Sequence, residues 1–191
     1  MTEAAHQMTS NPLPAAGPRK AGTVGRPQGG VSLTILAPDG REAPRGEVGE
    51  VCIRGANVTA GYKDNPAANA EAYAHGWFHT GDQGFVDGEG YVTLTGRLKE
   101  LINRGGEKIS PLEVDAVLLA HPAVAEAVSF GAPDDKYGEV VAAAVVLAAG
   151  AAREGVEESV RAHAATKLAP FKVGRGVGGL PGRPAPLARA G

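Results

Sequence analysis

The sequence predicts an α+β chain, with a β-rich first part, a change of character near Gly96-Arg97 and a small α/β domain after it. Three observations carry this. Residues 31–95 hold short alternating apolar runs closed by glycine and proline turns. From Leu101 strand-like and helix-like patterns alternate. Across 191 residues there are 28 glycines and 14 prolines, a density that breaks the chain into many short elements.

Residues 1 to about 22 are polar and rich in Pro and Ala, and read as an irregular, weakly anchored segment. Val31-Ser32-Leu33-Thr34-Ile35-Leu36 alternates as a strand, and Pro38-Asp39-Gly40 turns the chain. Gly49–Gly55 is a second strand. Asn65-Pro66 caps and starts a short helix through Tyr73, because proline at the first helical position loses no needed donor. After Trp77-Phe78-His79-Thr80-Gly81-Asp82 comes a further strand, Gly90–Thr95.

In the second part, Ser110-Pro111-Leu112-Glu113 is a capping box, and its helix runs to about Ala120 with Leu112, Ala116 and Leu119 on one face. His121-Pro122 ends it. Val124–Gly131 and the Ala-rich Val140–Leu147 read as buried strands. Val156, Val160, Ala164 and Leu168 line one side of a last helix, with Glu157 and Glu158 at its positive end and Lys167 at its negative end. From Lys172 onward the chain is rich in glycine and proline, has basic residues and no acid, and buries too little to offset the ordering entropy of about 1–2 kcal/mol per residue, so residues 173–191 are expected to be a disordered tail.

The net charge of −2, from 19 basic and 21 acidic residues, gives no reason to expect nucleic acid or an anionic membrane as partner. No apolar run reaches the length of a membrane span, and neither a signal peptide nor a C-terminal peroxisomal tag is present, so a cytoplasmic location is expected. Cys52, the one cysteine, permits no intrachain disulfide and reads as a buried inert thiol. His6, His75, His79, His121 and His163 make no metal-ligand spacing with each other or with Cys52. A Gly-x-x-x-x-Gly-Lys loop and a Gly-x-Ser-x-Gly elbow are both absent from the sequence.

The most specific string is Gly96-Arg97-Leu98-Lys99-Glu100-Leu101-Ile102-Asn103-Arg104-Gly105-Gly106-Glu107-Lys108-Ile109-Ser110-Pro111. Thr80-Gly81-Asp82 and Gly61-Tyr62 precede it, and Pro133–Glu139 follows. Together these closely resemble the hinge region and flanking motifs of the adenylate-forming superfamily, which holds acyl-CoA synthetases, coumarate–CoA ligases, luciferases and peptide-synthetase adenylation domains. Met1-Thr2-Glu3 is similar to a motif normally found deep inside that family's longer chains. The wording looks most like oxalate–CoA ligases.

The resemblance implies a domain plan. Residues 1–95 would be the C-terminal remnant of the AMP-binding N-terminal domain, a β-barrel-like subdomain. Residues 96–99 would be a hinge, and 100–172 a truncated C-terminal domain. It also implies a reaction in which a small carboxylate attacks ATP to give an acyl-adenylate, whose AMP is then displaced by CoA. Thr2 would lie near the α-phosphate and Glu3 would hold Mg²⁺, a frayed terminus being the competing reading of both. Asp82 would accept from the ribose hydroxyls, and Arg97 would donate to the nucleotide. Lys99 would be the pivot, and Gly105 and Gly106 would let the backbone approach pantetheine. Lys108 reads equally as a CoA contact and as a solvated lysine.

The family's Ser/Thr/Gly-rich phosphate loop is missing from these residues, and so is the Gly-Lys whose lysine stabilises adenylation. Lys167-Leu168-Ala169-Pro170-Phe171-Lys172-Val173 follows the family, and Gly174 begins a foreign composition. The expectation is therefore a ligase fragment inactive by itself. The rival reading is a non-catalytic module that binds AMP or CoA weakly.

Overall fold

A computed structural model describes residues 1–174 and 176–180. The chain divides into two compact units, Met1–Lys99 and Glu100–Gly191.

The first unit is built on a four-stranded sheet in the order β3-β4-β5-β6, formed by Ser32–Leu36, Gly49–Arg54, Phe78–Val86 and Val92–Arg97. Every pairing in it is antiparallel. The sheet stays open among the described residues. A two-stranded ribbon joins β1 (Thr9–Ser10) to β2 (Arg26–Pro27). Helix α1 (Pro66–Ala72) starts as expected, with the Asn65 side chain accepting from the Ala68 amide. Ile53, Phe78 and Val31 form a core cluster with Ala4.

Ala4 corrects the expectation of a weakly anchored terminus. It is fully buried, in a 3-10 turn over Thr2–Ala4. The Asn57 amide donates to the carbonyls of Ala4 and Gln7, and the Glu3 carbonyl accepts from Thr59 N–H. A small apolar side chain inside a polar segment suffices to dock it once the surrounding backbone polar groups find partners.

The second unit carries β7 (Ile102–Arg104), β8 (Glu107–Ile109), α2 (Pro111–Leu119), β9 (Val124–Asp134), β10 (Gly138–Leu147), α3 (Val156–Ala165) and β11 (Gly176–Leu180). The sheet runs β11-β10-β7-β8, with β9 also paired to β10. Ser110 caps α2 by accepting from Glu113 N–H. The inward face of α2 differs from expectation. Val114 and Leu118 are buried, whereas Leu112 and Leu119 are exposed. Both faces of α2 carry apolar residues at helical spacing, so periodicity had no preference, and packing on β9 chose one.

The structure also differs over part of the expected tail. Gly176–Leu180 runs as β11, parallel to β10 from Ala142 to Val146. A strand edge offers backbone partners that need no side chains, so a glycine-rich segment can pair there. Residues 181–191, placed in the same tail, lie outside the described residues. Among the described residues no helix is long and apolar enough to cross a membrane.

Candidate functional site

The site grows from a defect in the β4–β5 ladder. Glu50 pairs with Gln83 and Cys52 pairs with His79, so Thr80, Gly81 and Asp82 stand opposite Val51 alone. Such a bulge leaves backbone groups without ladder partners and bends the strand. Side chains supply what the ladder omits. The buried Thr80 hydroxyl donates to the Val51 carbonyl at 2.6 Å and accepts from Asp82 N–H at 3.1 Å. Gly81 adopts φ +72°, a left-handed conformation that favours glycine, and its N–H donates to Glu50 Oε1 at 2.9 Å.

At the end of the bulge, Asp82 on β5 lies opposite Arg97 on β6. Arg97 Nε stands 3.0 Å from Asp82 Oδ1, with the arginine side chain 60% exposed and the aspartate 15% exposed. A carboxylate and a guanidinium therefore share one edge of the sheet. One accepts and the other donates, which suits a ligand with vicinal hydroxyls beside a negative charge.

Behind this edge sits a group the sequence reading missed. Glu50 Oε2 is 2.8 Å from His79 Nδ1, His79 Nε2 is 3.0 Å from the Ala74 carbonyl, and Cys52 Sγ is 3.6 Å from His79 Nδ1. Sequence spacing had excluded a His/Cys metal cluster, yet Glu50, Cys52 and His79 present ligand atoms within 4.8 Å of one another. The alternation of β4 puts residues 50 and 52 on one face, and only the β4–β5 register adds His79. Ligand atoms around a tetrahedral zinc stand roughly 3.3 Å apart. The 2.8 Å contact is shorter, and is that of a hydrogen bond. We read the group as a hydrogen-bonded Glu50–His79 pair beside a thiol.

Cys52 is fully buried, as expected. Burial first, and the Glu50 charge second, push its thiol up to about 12. Because the thiolate is the reactive form, iodoacetamide at about pH 8 should leave Cys52 unmodified in the folded chain and label it after denaturation, as read by intact mass. Rapid labelling of the folded protein would contradict this burial.

The other predicted residues fall in three places. Thr2 is exposed, and Glu3 is half-buried with Oε1 accepting from the Tyr62 hydroxyl at 3.2 Å. Loss of solvent first, then the Glu3 charge, raise the Tyr62 phenol. Lys99 is exposed and is the last residue of the first unit. In the second unit Gly105 and Gly106 form the two-residue turn between β7 and β8, at φ +59° and +96°, as a type I′ hairpin requires. Gly105 N–H donates to the Tyr137 carbonyl at 2.8 Å, and Arg104 stacks on the Tyr137 ring at 3.9 Å. Lys108 is exposed on β8, opposite Asn103.

The chain belongs to the adenylate-forming superfamily of AMP-binding enzymes. Residues 1–63 match the AMP-binding enzyme family, and residues 113–181 match the AMP-binding enzyme C-terminal domain. Among individual proteins, the chain is 56% identical to oxalate–CoA ligase of Arabidopsis thaliana, over 91% of this chain and 33% of that protein. It is 55% identical to oxalate–CoA ligase of Saccharomyces cerevisiae, over 91% of this chain and 32% of that one. Its fold superposes on ATP-bound MatB from Rhodopseudomonas palustris with a TM-score of 0.86 at 37% identity, covering 94% of this chain and 35% of MatB. The chain thus spans about a third of the length of the curated relatives it matches.

Proposed function

We propose that this chain is the C-terminal part of an ATP-dependent carboxylate–CoA ligase acting on oxalate, and that Asp82 and Arg97 form its ribose-facing edge. The observation that carries the reading is the 3.0 Å Arg97–Asp82 contact across β5 and β6. Asp82 accepts from the ribose hydroxyls through its carboxylate, and the largely exposed guanidinium of Arg97 faces the nucleotide beside it. Oxalate rests on the oxalate–CoA ligases of Arabidopsis and yeast. The same likeness favours a ligase portion over a stand-alone interaction module.

Glu3 suits Mg²⁺, since one carboxylate beside substrate phosphates is a usual way to hold that ion and only Oε1 is engaged by Tyr62. When bound there, Mg²⁺ would offset phosphate charge. Lys99 is proposed as the pivot within a hinge at 96–99, separating residues 1–95 from 100–172, because the two compact units part immediately after it. A long solvated cation tolerates reorientation at such a place. Gly105 and Gly106 are proposed to pass pantetheine, their turn having no side chains to obstruct it, and Lys108 to meet a CoA phosphate from its exposed position. Thr2 is proposed at the α-phosphate.

The test is an NMR titration of the 191-residue chain. AMP is expected to shift amides of β5 and β6, and Asp82→Ala to weaken that response by about tenfold or more. CoA is expected to shift Gly105–Lys108. AMP shifts that leave β5 and β6 untouched, or that persist unchanged in Asp82→Ala, would defeat the reading.

A further inference from the structure

We infer that Glu50 and His79 are positioning residues for Asp82: the Glu50 carboxylate, held by His79, clamps the Gly81 amide and so aims the carboxylate of the next residue. The inference rests on the reading of Asp82 as the ribose acceptor.

The argument begins with proton accounting. Both ring nitrogens of His79 face acceptors, Glu50 Oε2 at 2.8 Å and the Ala74 carbonyl at 3.0 Å. A carbonyl only accepts, so Nε2 must donate to Ala74. A neutral imidazole has one N–H, which leaves Nδ1 as a bare lone pair facing the carboxylate oxygen. The 2.8 Å contact therefore contains a proton. That hydrogen bond holds the Glu50 carboxylate against the ring.

That hold on Glu50 has one direct consequence. Glu50 Oε1 is the acceptor for Gly81 N–H at 2.9 Å. Gly81 lies in the bulge, where Val51 alone stands opposite three residues, so no ladder carbonyl replaces Glu50 if it swings away. Its left-handed φ of +72° sets the direction in which the chain enters Asp82. Losing the clamp frees Gly81 and blurs the Asp82–Arg97 edge. The groups facing His79 are Glu50 and Cys52 from β4 and the His75 ring at 6.1 Å from the preceding turn.

The experiment titrates the 191-residue chain with adenosine, which carries no phosphate to ionise, and reads amide shifts on β5 and β6 by NMR. Glu50→Gln is expected to bind adenosine as the unmodified chain does, because its amide N–H can donate to Nδ1 while its oxygen still accepts from Gly81. Glu50→Ala should bind about tenfold more weakly. A Glu50→Gln chain that binds as weakly as the Glu50→Ala chain, or a Glu50→Ala chain that binds normally, overturns the inference. If adenosine shifts nothing in the unmodified chain, the ribose reading of Asp82 fails, and the clamp is judged by exchange of the Gly81 amide. Slow exchange in the unmodified and Gln chains with fast exchange in the Ala chain supports it, and equal rates in all three refute it.

Discussion

Given ATP, Mg²⁺ and oxalate, the purified 191-residue polypeptide is expected to catalyse no pyrophosphate exchange above a protein-free blank. Adenylation moves negative charge among phosphoryl oxygens, and enzymes accelerate it by donors preorganised around those oxygens. Each such donor commonly accounts for about 10²–10³ in rate. The family's glycine-rich phosphate loop does not occur in this sequence, and the proposed site contributes only the ribose edge. The two lysines nearest the place of the adenylation lysine do not substitute for it. Lys172 Nζ lies 2.7 Å from both carboxylate oxygens of Glu113, on the surface of the second unit. Lys167 is exposed just beyond the end of α3. Without the grip on the β- and γ-phosphates, the attack also loses the geometric advantage of a bound reactant pair, which reaches roughly 7–11 kcal/mol in favourable cases. Exchange of labelled pyrophosphate into ATP above the blank, dependent on oxalate, would overturn the assignment of these residues as an insufficient part of the machinery.

Gly25→Ala should cost roughly 3 kcal/mol or more and loosen the amino-terminal side of the first unit. An added Cβ would stand 1.9 Å from the Ser10 carbonyl carbon, 2.1 Å from its oxygen and 2.2 Å from Asn11 N. All three are backbone atoms, so no side-chain rotation relieves the clash. The φ of +90° adds strain for any residue with a Cβ. The same glycine joins the β1–β2 ribbon to the sheet, because its carbonyl accepts from Val92 N–H at 2.8 Å at the start of β6, the strand that ends in Arg97. Gly88→Ala, where an added Cβ meets nothing within 4 Å, should change stability by about 0.5 kcal/mol or less. Chemical denaturation of the two variants side by side checks the difference. Equal midpoints would show that the Ser10–Asn11 segment yields freely.

Local signals were legible where they acted over a few residues. Asn65 capping α1 and Ser110 capping α2 need only a side-chain oxygen and an amide three residues on, and both stand as read. The Gly105-Gly106 turn and the presence of strands β3 and β4 are likewise local. The face of α2 was not legible, because Leu112 and Leu119 repeat as regularly as Val114 and Leu118. The docking of Ala4 was not legible either, since it depends on Asn57, Thr59 and Tyr62 far along the chain.

The sequence by itself determined the order of elements, the family resemblance and the pairing of a Thr-Gly-Asp turn with a downstream arginine, because motif wording and short-range hydrogen bonding are written in neighbouring residues. Only the tertiary structure decided that Asp82 meets Arg97 across two strands, and that Glu50, Cys52 and His79 gather behind them. Those contacts follow from strand register and from a bulge. Register is chosen by the burial of a whole sheet face, a sum over distant residues that no local pattern contains.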